Sequence, residues 1–426
     1  MRRAPGSSGP RPPLPAGTPS PAGLAPAKQS RGLVGTHRYI ERVLRFLTAG
    51  ESHGQGLVVV VEGLPAGLPV TVEEIQGELG RRRLGYGRGP RMRIEQDRLT
   101  ILGGVRHGRT LGSPVAIEIL NSEWPKWEQE MTPAPGHTEK PLTRPRPGHA
   151  DLAGMQKYGF TDARNVLERA SARETAARVA AGSLAKALLA HLDMAVVSHV
   201  VQMGPVVSKS AARPGPRDLE AVDVSAVRCF DPDAAEAMVD EIKAAAKAGD
   251  SLGGVAEALA YGVPVGLGSH VHWDRRLDGL LAQALLSIPA VKGVEIGDGF
   301  EVAGRRGSEA HDAILWDAEE HAYRRGSTHA GGIEGGMSTG DLVVARVAMK
   351  PLSTLNRPVL RTVDTETKEE ALSFKERTDV TAVPAMGVVA ETAVALVLAG
   401  EALRKFGGDS LDEVVRNRDG FVQSLG

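Results

Sequence analysis

Apolar residues gather in short runs that read as strands over Leu57–Glu62, Val115–Leu120, Ala195–Met203, Val255–Val265 and Leu342–Met349. Three- and four-residue apolar spacing predicts helices over Thr71–Arg83, Ser171–Leu192, Asp231–Ala248, Leu277–Ile288 and Val389–Phe406. Thr71 and Glu74 form a capping-box pair that places the start of the first helix. The helix from Ser171 is rich in Ala and Leu, and its small faces predict close packing against another element. Strands and helices do not alternate strictly, and no Gly-rich strand–turn–helix fingerprint occurs. The pattern therefore favours an α+β fold over a doubly wound parallel sheet. Patterning begins at Val43-Leu44-Arg45-Phe46. With no repeat or linker after it, residues 43–426 are expected to form one large domain.

Residues 1–42 lack this pattern and are expected to be a disordered extension. Eight of the chain's 27 prolines lie in its first thirty residues. An alternative start codon at Val43 would make the extension a start-site artefact. It carries seven Lys+Arg and one acid, whereas the remaining 384 residues carry 44 basic against 51 acidic residues. An acidic body argues against general nucleic-acid binding and leaves any anion site to a local cluster. One cysteine, Cys229, excludes a disulfide framework and any CxxC site. No HExxH occurs and the histidines are scattered, so no metal site is expected. The apolar runs fall far short of the ~20 residues that span a bilayer, and the N-terminus has no apolar signal core. A cytoplasmic protein without membrane contact is expected.

Gly50-Glu51-Ser52-His53-Gly54 matches the G-x-S-x-G nucleophile elbow. An elbow needs a strand before and a helix after it, whereas Leu57–Val61 reads as a strand. A turn presenting Ser52 and His53 to a ligand fits better. Residues 81–93 hold six arginines and no acid and sit unpaired within an acidic body, which points to an anionic small molecule. Arg144–Asp151 is a Pro-stiffened basic segment that places His149 as a candidate general acid. Arg169–Thr175 opens a helix with Ser171 as candidate N-cap. Gly331–Gly336 permits close backbone approach, Lys350–Thr354 supplies a cation and two hydroxyls, and Arg377-Thr378-Asp379 adds a charged pair. Two other readings remain at this point: an elbow-type hydrolase, and a non-catalytic anion- or nucleic-acid-binding module.

In order, GESHG, RRRLGYGRGPRM, RPGHAD, RASARET, GVEIGDGF, GGIEGGMSTG, KPLST and RTDVTAVPA resemble the signature segments of chorismate synthases, from about Leu44 to the last apolar helix. The resemblance implies a lyase that removes phosphate from 5-enolpyruvylshikimate 3-phosphate by 1,4-anti elimination, giving chorismate for aromatic amino-acid biosynthesis. It implies reduced FMN without net redox change, with NADPH acting only indirectly through an external flavin reductase. It also implies a β-α-β sandwich, helices packed between antiparallel sheets, and a homotetramer.

Carried over by position, the resemblance marks His53 and His149 as catalytic histidines, Ser52 and Ser171 as site serines, and Asp379 as a proton-transfer aspartate. Arg82, Arg88, Arg91, Arg146 and Arg173 would bind the substrate's anionic groups, and Arg82 and Arg88 would also touch NADP. Flavin contacts would fall on Arg169, Ala170, Ser171, Gln283, Ala284, Gly335, Lys350, Pro351, Leu352, Ser353, Thr354 and Arg377. Ala170 stands where many members of the family have Ser.

Overall fold

The structure, a computed structural model, describes residues 43–89, 95–319, 321–374 and 378–425. The extension expected at 1–42 and the site residues Arg91 and Arg377 lie outside the described residues.

A four-stranded antiparallel sheet has the order β1 (Arg45–Ala49), β2 (Gly56–Glu62), β4 (Val115–Leu120), β3 (Leu99–Gly103). In β2, Leu57, Val59 and Val61 are buried while their neighbours are partly exposed, the period of a half-covered sheet. A second antiparallel sheet runs β8 (Val291–Ile296), β9 (Val343–Met349), β7 (Gly254–Tyr261), β5 (Ala195–Met203), β6 (Val206–Val207). Its inner strands are buried on both faces, and so lack that simple alternation. These findings establish a mixed fold of helices and antiparallel sheets.

Helix α1 (Val72–Arg82) starts at the Thr71–Glu74 capping box, as expected. Two short helices, α2 (Asp151–Tyr158) and α3 (Arg164–Ala170), precede α4 (Thr175–Ala190). Farther along come α5 (Pro232–Ala248), α6 (Leu277–Leu286), α7 (Val383–Phe406) and α8 (Leu411–Gln423). Helix α4 packs on β2 and on α7, while α7 packs on β5 and β7. A Cβ at Gly182 would stand 2.2 Å from the Thr392 Cβ, so this glycine sets the close α4–α7 approach.

Several sequence expectations need correction. Ser171 caps a 3-10 turn over Ala172–Glu174, and α4 begins only at Thr175. The strand expected to reach Val265 stops at Tyr261, where Gly262 turns at φ +69° and Pro264 has no N–H to pair. Helix α7 starts at Val383, six residues early, with Pro384 in its first turn. Helix α7 is also long and apolar enough to cross a membrane, with mean hydropathy 1.8 over 18 residues. It passes on length and composition because its charges, Glu391 apart, fall in the last two turns at Glu401, Arg404 and Lys405, and 78% of that window is buried in protein.

One of those charges anchors the interior. Glu391 on α7 accepts hydrogen bonds from both terminal nitrogens of Arg81 (2.7 and 2.8 Å), Ser198 (2.7 Å), Arg228 (3.1 Å) and Lys186 (3.1 Å). The carboxylate thereby joins α1, β5, α4 and α7. Burial alone would raise its pKa, but Lys186, Arg81 and Arg228 hold it well below the usual carboxylate range.

Candidate functional site

Ser52 and His53 sit on the turn of the β1–β2 hairpin, so the G-x-S-x-G match is strand–turn–strand and lacks the geometry of a nucleophile elbow. The turn is held from below by α3. The Ser52 N–H donates to the Glu168 carbonyl (3.0 Å), and the His53 N–H to Glu168 Oε2 (2.9 Å). His53 Nδ1 lies 3.0 Å from both Glu168 oxygens, and its ring stacks on Trp127 at 4.1 Å. Burial alone would raise the Glu168 carboxyl; its hydrogen bonds from His53 and the Arg164 charge outweigh this and lower it. Ser171 Oγ donates to Ser52 Oγ at 3.1 Å. Both site serines therefore meet beside His53.

His149 follows the same plan. Its Nδ1 contacts buried Asp151, which also accepts the Arg146 backbone N–H (3.0 Å), Nε (2.9 Å) and a terminal nitrogen (3.2 Å). Burial would raise the Asp151 carboxyl, but His149 and Arg146 hold it well below the usual carboxylate range. Arg146 also reaches Thr354 Oγ1 at 3.3 Å and lies over the Phe374 ring. The Arg146–His149 segment and the Lys350–Thr354 segment thus share one face. A Cβ at Gly148 would be 3.5 Å from Lys350 Nζ, ordinary contact distance.

The arginine-rich run needs a correction: its arginines are paired, by Glu78 one turn earlier on α1 and by acids that the tertiary structure brings from elsewhere in the chain. Arg81 pairs with Glu78, Asp223 and Glu391. Arg82 reaches Asp97 at 3.4 Å, Arg173 contacts the same carboxylate, and Arg88 pairs with Asp379 at 3.0 Å. Pairing remains incomplete, because the buried Nε atoms of Arg82, Arg83 and Arg88 have no hydrogen-bond partner among the described residues. Burial pushes the Arg82 guanidinium down to about 10 despite Asp97, with Arg173 and Arg88 adding like-charge repulsion. Burial lowers Arg88 too, against the pull of Asp379. A bound anion would satisfy those donors and relieve that repulsion.

Two links join these groups. Asn121 donates to the Glu51 and Gly54 carbonyls (3.0 and 2.7 Å) and accepts from Arg173 Nε (2.8 Å), tying the histidine turn to the arginines. Val380, next to Asp379, donates to the Gly87 carbonyl and accepts from Leu252 N–H (both 2.8 Å), while Ser251 Oγ reaches the Leu352 carbonyl at 2.7 Å. Asp379 itself accepts from the Gly89 N–H at 2.5 Å. Arg169 reaches Thr48 and Gly50 on the hairpin, and Glu174 carries that contact through Arg178 to Ser287 beyond α6. Gln283 and Ala284 lie on α6 one turn before Ser287. Gly335 is in the turn of a separate hairpin at φ +58°, with open space where a Cβ would point.

Glu168, Asn121, Asp97 and Trp127 escaped sequence reasoning. A sequence signal existed for Glu168, a charged residue directly after Val166-Leu167 and before the RASARET segment. Asn121 and Asp97 carry no local signal, since only strand pairing brings β3 and β4 beside Arg173. A concavity of about 730 Å³ near α8, lined by Arg109, His191 and Arg416, contains none of the motif residues. Chemistry rather than volume locates the site.

Two histidines on buried carboxylates, beside buried arginines with unsatisfied donors, equip an enzyme for proton chemistry on a small, multiply anionic molecule. The sequence profile described as chorismate synthase matches residues 44–403. The chorismate synthase of Salinispora tropica is 60% identical over 392 residues, covering 90% of this chain and 99% of that protein. That of Thermobifida fusca is 58% identical over 393 residues, covering 90% and 99%. A crystal structure of chorismate synthase superposes with a TM-score of 0.72 at 42% identity, covering 90% of this chain and 98% of the other. The chain belongs to the chorismate synthase family, lyases of the shikimate pathway that serve aromatic biosynthesis.

Proposed function

We propose that the chain converts 5-enolpyruvylshikimate 3-phosphate to chorismate by 1,4-anti elimination of phosphate, with reduced FMN and no net redox change. The observation that carries this reading is the set of buried, incompletely satisfied arginines beside the two carboxylate-backed histidines. The substrate's two carboxylates and phosphate match such a cluster, because each desolvated anion needs a charged donor. Arg82, Arg88, Arg146 and Arg173 bind these groups, with Arg91 assigned by resemblance alone. Breaking the C–O bond leaves charge on the departing phosphate, where preorganised arginine and histidine donors stabilise it. His53 and His149 hold and move protons at their rings, and Ser52, Ser171 and Asp379 complete the polar wall.

The residues assigned to the flavin suit its phosphate and ring. Lys350 is pushed down by burial and by Lys292, a pair of cations that an FMN phosphate would offset. Ser353 and Thr354 add hydroxyls, Gly335 leaves open space at its backbone, and Arg169 through Ser171, Gln283, Ala284, Pro351, Leu352 and Arg377 form the remaining assignment. FMN supplies the electron-rich ring that no side chain provides. NADPH contributes through an external reductase, with Arg82 and Arg88 as the positions assigned to NADP. We assign a β-α-β sandwich, which the packing of α4 and α7 between strands of the two sheets supports. The division of the chain after Glu41 supports reading 43–426 as the catalytic unit. A cytoplasmic homotetramer completes the proposal.

Anaerobic turnover with photoreduced FMN tests the reaction. Phosphate and chorismate should appear in equal amounts only with reduced flavin, and equal turnover in air with oxidised FMN and no reductant overturns the proposal.

A further inference from the structure

Each of the two histidines faces a buried carboxylate through Nδ1, and each carboxylate is gripped by an arginine. Glu168 Oε1 accepts from Arg164 at 3.0 Å while both of its oxygens face His53 Nδ1. Asp151 holds Arg146 through three hydrogen bonds while Oδ1 faces His149 Nδ1, closer than the Arg146 terminal nitrogen that lies 3.1 Å from Nδ1 and 3.4 Å from Nε2. The Arg164 guanidinium also lies 4.9 Å over the Trp127 ring, which stacks with the His53 imidazole as well. Such a pair is geometrically over-determined. Rotation of Glu168 would break its bonds to the His53 main chain, to its ring and to Arg164 together.

An ionised carboxylate only accepts hydrogen bonds, so the nitrogen facing it must carry the proton. That fixes Nδ1–H and makes Nε2 the nitrogen that exchanges protons with a bound molecule. The same carboxylate stabilises positive charge when Nε2 takes up a proton, as the buried aspartate does in the serine-hydrolase triad. We propose that Glu168 and Asp151 are positioning residues that hold His53 and His149 in the Nδ1–H form and offset their imidazolium charge. Arg164 and Arg146 lock the two carboxylates in place. This inference rests on the reading that both histidines exchange protons during the reaction.

A double-mutant cycle tests it on the full chain. Glu168→Gln should lower kcat by about 10- to 100-fold with KM for the phosphorylated substrate within about twofold, and Asp151→Asn should do the same. In a His53→Ala background, Glu168→Gln should change kcat by less than about twofold, because its effect runs through the missing ring. Glu168→Asp should recover part of the loss. An equal loss with and without His53 assigns Glu168 a purely structural role and overturns the inference. Near-normal turnover of His53→Ala alone instead overturns the functional reading of that histidine. A second readout needs neither flavin nor turnover: long-range 1H–15N spectra of histidine-labelled protein, assigned with His53→Ala and His149→Ala. Both residues should show the proton on Nδ1 and a bare Nε2 at alkaline pH. A proton on Nε2 in the unmutated protein overturns the inference.

Discussion

Asn121 shows how one neutral side chain can bind two parts of a site. Its amide donates to two carbonyls of the Ser52–His53 turn, and its oxygen takes the Nε of Arg173. All three bonds are at least partly buried, so truncation leaves unsatisfied groups that cost about 1–3 kcal/mol each. Asn121→Ala should therefore lower kcat and weaken substrate binding together, with urea melts showing a loss of a few kcal/mol. Unchanged kinetics would remove Asn121 from the site. Arg82 and Arg173 present the complementary case, two cations sharing Asp97. That carboxylate keeps the cations together, and the unpartnered Nε of Arg82 keeps the pair receptive to an anion.

Across an element, the second sheet carries a polar row on the face turned away from α7. His199 on β5, Glu257 on β7 and Arg346 on β9 are cross-strand partners, and Arg213 also reaches Glu257. Burial would raise the Glu257 carboxyl, but hydrogen bonds from His199 and Arg213 move it from the ordinary 4.5 to about 2. The unfolded chain thus binds this proton more readily, so folding stability rises with pH across that interval. The contribution, on the order of 3 kcal/mol, is complete above pH 4.5 and is lost as pH falls towards 2. Glu257→Gln should lower stability above that range and converge on the parent near pH 2, as followed by denaturant melts at several pH values. A constant difference throughout would assign the loss to packing instead.

At the scale of the whole molecule, the hairpin turn, α3, the loop before α2 and the Lys350–Thr354 segment come from distant stretches of chain: Leu57 of the hairpin and Leu352 pack on the main core, while α2 and α3 share a small core of Met155, Ala163 and Leu167. Residues 1–42 lie outside the profile match at 44–403. A chain begun at Val43 should keep kcat and KM within about twofold and assemble with the same number of subunits. A fall in activity or a change in assembly would give the extension a role.

Much of the architecture was readable in advance where a local rule governs it. The Thr71–Glu74 box starts α1, and alternation in β2 marks a strand half-covered by α4. The boundaries that failed, at Thr175, Tyr261 and Val383, depend on a 3-10 turn, a left-handed glycine and a helix buried on nearly all sides, none of which leaves a period to follow. The eight signature segments likewise marked the histidines, serines and arginines, because side-chain chemistry is written in the residue types.

By itself, then, the sequence determined which chemical groups the protein owns and the family to which it belongs. Tertiary structure decided their state. It brought acids to arginines that had looked unpaired and set Glu168 and Asp151 behind the histidines. It also turned an apolar, membrane-length helix into the buried support of the second sheet. The physical reason is that charge, hydrogen bonding and burial depend on distances between residues far apart in the chain, and only the fold sets those distances.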